Sequence, residues 1–209
     1  AERFEESLAI IGRLWSEDEV TFEGRYFQLS RIRPTAHPFQ QPRPGIWIAA
    51  NQDRAVRRAA RLGDAWYASP HVSYSTLSRQ MRVYRHTLEK CAKPPPRHVV
   101  VMRDVYVAEN SRQAFDECRP FLGKRYAVYA QDSDGETPSK GDSVDRRFEE
   151  FSRERFIIGD PDECVETLRR YEALGFNQVI LEFQWMEMPD GLAMRNLKLL
   201  GEQVLPKLR

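Results

Sequence analysis

From Gly45 onward the apolar residues switch repeatedly between a period of two and a period near 3.6, which limits the fold more than any single motif does. Ile46-Trp47-Ile48-Ala49 reads as a short buried strand. Asp53 to Leu62 is a helix closed by Gly63, and Ala65-Trp66-Tyr67-Ala68 is the next strand. Leu77, Met81, Tyr84 and Leu88 mark a second helix, which stops before Pro94-Pro95-Pro96. Val99 to Ala108 is the longest β-branched run, and Asn110 or Ser111 can cap the helix carrying Ala114, Phe115, Cys118 and Leu122. Asp160-Pro161-Asp162-Glu163 supplies an N-cap, a proline at the first helical position and first-turn acids, and Gly175 ends that helix. Val179 to Phe183 is then a strand, and Leu192 to Leu205 a final helix stopped by Pro206. Such alternation predicts an α/β fold with a mainly parallel sheet, closed or open, and the roughly four strand–helix pairs amount to half of a (β/α)8 barrel.

The segment before Gly45 differs. Phe4, Leu8, Ile11 and Trp15 form one face of an amphipathic helix, with Glu2, Glu5, Glu6 and Arg13 opposite. Val20 to Phe22 and Arg25 to Leu29, separated by Glu23-Gly24, predict a β-hairpin. Pro34, Pro38, Pro42 and Pro44 predict an extended connection over a surface. Residues 131–146, rich in Asp, Ser and Gly, read as a mobile polar insertion into a domain covering 1–209.

Lys plus Arg number 32 against 31 Asp plus Glu, a net charge of +1 that argues against nucleic-acid and membrane-surface partners. No apolar run is long enough to span a membrane, and no signal-peptide core is present, so a cytoplasmic location is expected. Cys91, Cys118 and Cys164 are widely spaced and read as reduced thiols. The four histidines are scattered without ligand spacing, so no metal is expected, and P-loop, G-x-G-x-x-G and G-x-S-x-G motifs are missing.

Parallel α/β folds bind ligands at the C-terminal ends of their strands. There, Ala49 and Ala50 allow close approach, the following helix offers free amides, and Asn51 and Arg54 add polar and positive groups, a combination suited to phosphate. The same residues also suit a plain turn capped by Asn51 or Asp53. Arg54, Arg57, Arg58 and Arg61 read as a solvated helix face. His71 follows the next strand and is a candidate catalytic group, although a loop histidine is commonly just solvated. Arg103 and Asp104 must point to opposite faces of their strand, with one directed into a barrel or cleft or held in a structural ion pair. Glu182 shares a polar face with Gln184, opposite Val179, Leu181 and Phe183, while Trp66, Trp185 and Met186 are candidate pocket walls or core aromatics.

Taken in order, Arg3 to Leu8, Leu14-Trp15-Ser16, Val20 to Phe27, Gln41 to Ala50, Ala59 to Trp66, Phe156 to Pro161 and Leu200 to Pro206 resemble the bacterial-luciferase-like family of flavin-dependent monooxygenases and oxidoreductases. The resemblance implies a (β/α)8 barrel with inserted segments, commonly dimeric, binding FMN or the deazaflavin F420. Monooxygenase members use reduced flavin and O2 on a small organic substrate, and F420 members transfer hydride. The turn Ala49 to Arg54 matches one that commonly contacts the cofactor, with Ala49-Ala50 where the family often has Gly-Gly. The match starts at the family's fourth barrel helix, so the chain is expected to be the C-terminal half, pairing with the missing N-terminal half or forming a homo-oligomer. The usual catalytic histidine would then lie upstream. The resemblance thus implies a cofactor site in this turn, at Ala49, Ala50, Asn51 and Arg54, while position at the strand ends adds a weaker catalytic candidate in His71 and a substrate pocket at Trp66, Arg103, Glu182 and Trp185. Two further readings stay open: a non-catalytic half-barrel assembly module, and an open doubly wound phosphate-binding domain.

Overall fold

The computed structural model describes residues 1–132 and 144–208, and for 127–132 and 144–147 the backbone alone. The chain runs α1 (Glu2–Ser16), β1 (Val20–Glu23), β2 (Gln28–Ile32), β3 (Trp47–Ala49), α2 (Asp53–Leu62), β4 (Ala65–Ala68) and α3 (Tyr74–Lys90). It continues through β5 (His98–Val107), α4 (Ser111–Asp132), α5 (Val144–Arg153), β6 (Ile157–Gly159), α6 (Pro161–Leu174), β7 (Gln178–Glu182) and α7 (Asp190–Leu199). A π-helical turn at Leu200–Val204 and a 3-10 turn at Leu205–Leu208 end it, so the final helix loosens through Pro206 instead of stopping there.

The sheet runs β3-β4-β5 with β7 also on β5, and every pair is parallel. Each main strand lies beside its predecessor, which is the order of a barrel wall. A doubly wound sheet would reverse direction partway, so that reading is overturned. The short β6, which the sequence pattern did not reveal, pairs with the end of β5 at Val105–Val107.

Period-two alternation along β5 separates two environments. Val99, Val101, Val105 and Val107 pack into a core with Val56 and Ala59 of α2, Leu77, Met81 and Tyr84 of α3, and Leu168 and Tyr171 of α6. Val100, Met102, Asp104 and Tyr106 take the other face, beside Tyr67 of β4 and Gln178, Ile180 and Glu182 of β7 in register. Over the strands' C-terminal ends a second core gathers Tyr106, Cys118, Leu122, Tyr126, Phe148, Phe156, Trp185 and Met188. Helix α6 starts as its sequence dictates: Asp160 Oδ1 accepts the Asp162 and Glu163 amides at 2.9 and 3.0 Å, completing a capping box.

Several local expectations shift. The hairpin turn is four residues, Gly24 to Phe27, because the Glu6 carboxylate of α1 accepts the amides of Arg25, Tyr26 and Phe27 at 2.9, 2.9 and 3.2 Å. Arg58 and Arg61 are not simply solvated. Both pair with Glu5, at 3.3 and 3.5 Å, and tie α1 to α2. The proline-rich connection is anchored where Asp64 receives Arg43 at 2.6 Å and the Ile46 amide at 2.8 Å. Of the expected insertion at 131–146, the flanks are helical in α4 and α5, and 133–143 lies outside the described residues.

Candidate functional site

A charge inside an apolar strand persists only when other groups satisfy it. Asp104 is fully buried on the β5 face away from α2 and α3. Its Oδ1 accepts Trp185 Nε1 at 2.8 Å and Arg125 Nη1 at 3.2 Å, and its Oδ2 accepts the Tyr126 hydroxyl at 2.8 Å. Arg125 also donates from Nη2 to Glu182 at 2.7 Å, so one guanidinium of α4 bridges two carboxylates that β5 and β7 hold in register. Burial pushes the Asp104 carboxyl above its ordinary range, opposed by Arg125 and by the Tyr126 and Trp185 hydrogen bonds.

His71, half-buried in the loop after β4, meets the Tyr126 ring edge-on at 5.5 Å. Burial lowers its basicity, Asp104 opposes this, and Arg125, Arg103 and Arg155 lower it further. His71, Asp104, Tyr126, Arg125, Glu182 and Trp185 thus converge at the C-terminal ends of β4, β5 and β7. The cluster can hold a proton on imidazole and screen an anionic or polar group beside it.

Two predicted pocket residues lie elsewhere. Trp66 is fully buried on the helix side, against Tyr84 and Phe176 at 5.3 and 5.6 Å, with its Nε1 donating to the Ala50 carbonyl at 3.0 Å. Even positions of β4 face α3, so Trp66 is core. Arg103 is also fully buried on that side, donating to Tyr171 Oη at 2.7 Å and to the carbonyls of Ser69, Pro70 and Val72 at 3.0, 3.2 and 2.9 Å. There it holds the loop that carries His71.

The Ala49 to Arg54 turn forms a separate locus at the end of β3. Ala49, Asn51 and Arg54 are exposed, whereas Ala50 is buried and donates its amide to the Tyr67 carbonyl at 3.2 Å. Asn51 does not cap α2. Gln52 occupies that position without a side-chain cap bond, its carbonyl accepting the Ala55 amide at 2.8 Å. The buried Gln80 donates Nε2 to the Asn51 carbonyl at 2.8 Å, and Arg79 neutralises Asp53 at 2.5 Å.

Sequence reasoning missed Arg125 and Tyr126, which lie in a helix whose register against the sheet no spacing reveals. Asp104 did carry a signal, as an acid in a β-branched run. Among the described residues no group of His, Cys, Asp or Glu could hold a metal. No described helix is long and apolar enough to cross a membrane.

A family model described as luciferase-like monooxygenase matches residues 1–178. The chain belongs to the luciferase-like monooxygenase family. Within that family it is similar to an F420-dependent glucose-6-phosphate dehydrogenase of Nakamurella multipartita, 29% identical over 213 residues, which cover 99% of this chain and 60% of the relative. A flavin-dependent trigonelline monooxygenase, oxygenase component, of Acinetobacter baylyi is 23% identical over 188 residues, 85% of this chain and 52% of that protein. A monooxygenase from Streptomyces bottropensis shares the fold at a TM-score of 0.83 and 21% identity, over 99% of this chain and 61% of the other. The sheet therefore corresponds to part of a luciferase-like barrel, and the chain spans 52–60% of these two curated relatives.

Proposed function

We propose that this luciferase-like chain is the C-terminal half of a flavin-dependent oxidoreductase, a monooxygenase acting with reduced FMN and O2 on a small organic substrate. The observation that carries the reading is the convergence of His71, Asp104, Arg125 and Glu182 at the strand ends where such barrels work. The α2 turn fits the cofactor's phosphate: Ala49 is small, the first-turn amides lack a side-chain cap and Arg54 is exposed. Gln80 Oε1 and Asp53 Oδ1 are buried without a partner and suit the hydroxyls of the ribityl chain that FMN and F420 share. When bound, the reduced cofactor supplies the electrons for the reaction.

This chain's own residues then have separable tasks. Arg54 and the α2 amides hold the phosphate. His71 accepts or returns a proton at its imidazole, and the Asp104–Arg125–Glu182 bridge fixes the charge beside it. Tyr126 and Trp185 keep water from the Asp104 carboxylate.

A second reading, hydride transfer with F420, is favoured by one observation: the F420-dependent relative is more similar and aligns over more of this chain than the flavin-dependent one. Titrating the intact protein with reduced FMN and with F420 tests both. Tight FMN binding that Arg54→Ala weakens by about 1.5–3 kcal/mol supports the first reading. Preference for F420 supports the second, and binding of neither overturns both.

A further inference from the structure

Residues 69–72 have no strand or helix to hold them, yet all four of their carbonyls are taken by guanidinium groups. Arg103 reaches Ser69, Pro70 and Val72 as described above, and Arg155 Nε donates to the His71 carbonyl at 2.8 Å. Arg103 forms no ion pair among the described residues. Removing such a cation from water costs several kcal/mol, which an apolar side chain of similar size would avoid. What only an arginine supplies is a planar fork of five N–H groups that can gather several carbonyls at once. Its Nε bond to Tyr171, whose ring centroid lies 4.9 Å from the guanidinium carbon, fixes the fork from the helix side. Arg155 is fixed likewise, its guanidinium carbon 4.0 Å from the Phe151 ring centre, and Phe151 packs edge-on against Tyr126 at 5.2 Å. The ring that His71 touches therefore belongs to the same aromatic group that seats Arg155.

We propose that Arg103 and Arg155 are positioning residues that fix the His71 imidazole against Tyr126 at the edge of the Asp104 cluster. The catalytic meaning of this arrangement rests on the reading of His71 as the acid–base group, but the arrangement itself does not. The groups facing His71 are Asp104 and Arg103 from β5, Arg125 and Tyr126 from α4, and Arg155 from the segment after α5.

NMR of the His71 ring in the intact protein, with amide exchange over 71–72 and their neighbours, tests the inference in Arg155→Lys, Arg155→Met and Arg103→Lys. Both Arg155 variants are expected to lose the ring-current shift from Tyr126 and to exchange these amides about tenfold faster, the equivalent of one hydrogen bond. Both variants are expected to raise the His71 titration midpoint as the ring leaves its buried seat, Arg155→Met more than Arg155→Lys because it also removes a positive charge. Arg155 is only half-buried, so it decides the question even where Arg103→Lys does not fold. Unchanged ring shifts and exchange in folded Arg155 variants would overturn the proposal. Turnover of His71→Asn is a separate measurement: full activity removes the acid–base reading and leaves the NMR result to judge positioning.

Discussion

Trp185 Nε1 donates to Asp104 Oδ1 across 2.8 Å, joining residues 81 positions apart. The bond ties the loop after β7 to the middle of the sheet, and it places an indole where it both donates to a buried carboxylate and shields it.

Replacing that donor leaves an acceptor charge short of a partner. Trp185→Phe keeps most of the ring volume and is expected to cost about 1.5–3 kcal/mol, the range for hydrogen bonds to charged groups. Urea unfolding of wild type and variant measures it, and an unchanged midpoint would show that the bond contributes nothing in solution.

Trp66 gives the contrasting case. As a core residue, Trp66→Ala should destabilise by about 3–5 kcal/mol through lost burial and a cavity. Trp66→Phe should cost less and leave FMN or F420 affinity within about twofold, which corresponds to less than 0.5 kcal/mol. A large affinity loss with unchanged stability would return Trp66 to the ligand pocket.

Stability should depend on pH through His71. Burial and neighbouring arginines lower its folded-state value beneath the ordinary 6.5. The unfolded chain therefore binds the proton more readily below that pH, so this contribution is present above 6.5 and is lost as pH falls through the folded value. Asp104 runs oppositely: its folded value is raised, so its contribution is present below 3.8 and is lost as pH rises through the folded value. Urea midpoints from pH 7.5 to 5 should fall more steeply in wild type than in His71→Asn. Parallel curves would remove His71 from this titration.

Gly175 closes α6 at φ +103°, a left-handed conformation that L side chains rarely adopt. An added Cβ would also meet the Arg85 guanidinium, which donates to the Leu174 carbonyl at 2.8 Å. Gly175→Ala should destabilise by about 1 kcal/mol or more, visible as a lower thermal midpoint. No loss would mean that the helix end rearranges freely.

The strand–helix rhythm from Trp47 to Glu182 was legible because each element's period follows from its own side chains. Residues near one another in sequence were equally readable, including the Asp160 cap and the Gly63 and Gly175 stops. Helix α5 was hidden by its polar surroundings, although Phe148 and Phe151 are spaced for one face. β6 was hidden by its length of three residues.

By itself the sequence determined an α/β alternation with a mainly parallel sheet, most of its elements and the family to which it belongs, since these depend on local periodicity and on motifs met in a fixed order. Only the tertiary structure decided which acids and bases meet. Alternation set Asp104 opposite Arg103 and Glu182 opposite Leu181, but the pairing of β5 with β7 put the two acids on one face, and their shared partner Arg125 comes from a helix whose rotation is set by packing of Cys118, Leu122 and Tyr126. Likewise, nothing local tells Trp66 from Trp185: one faces α3 and the other a carboxylate, because the strand's side toward the helices excludes water while its ends gather charge.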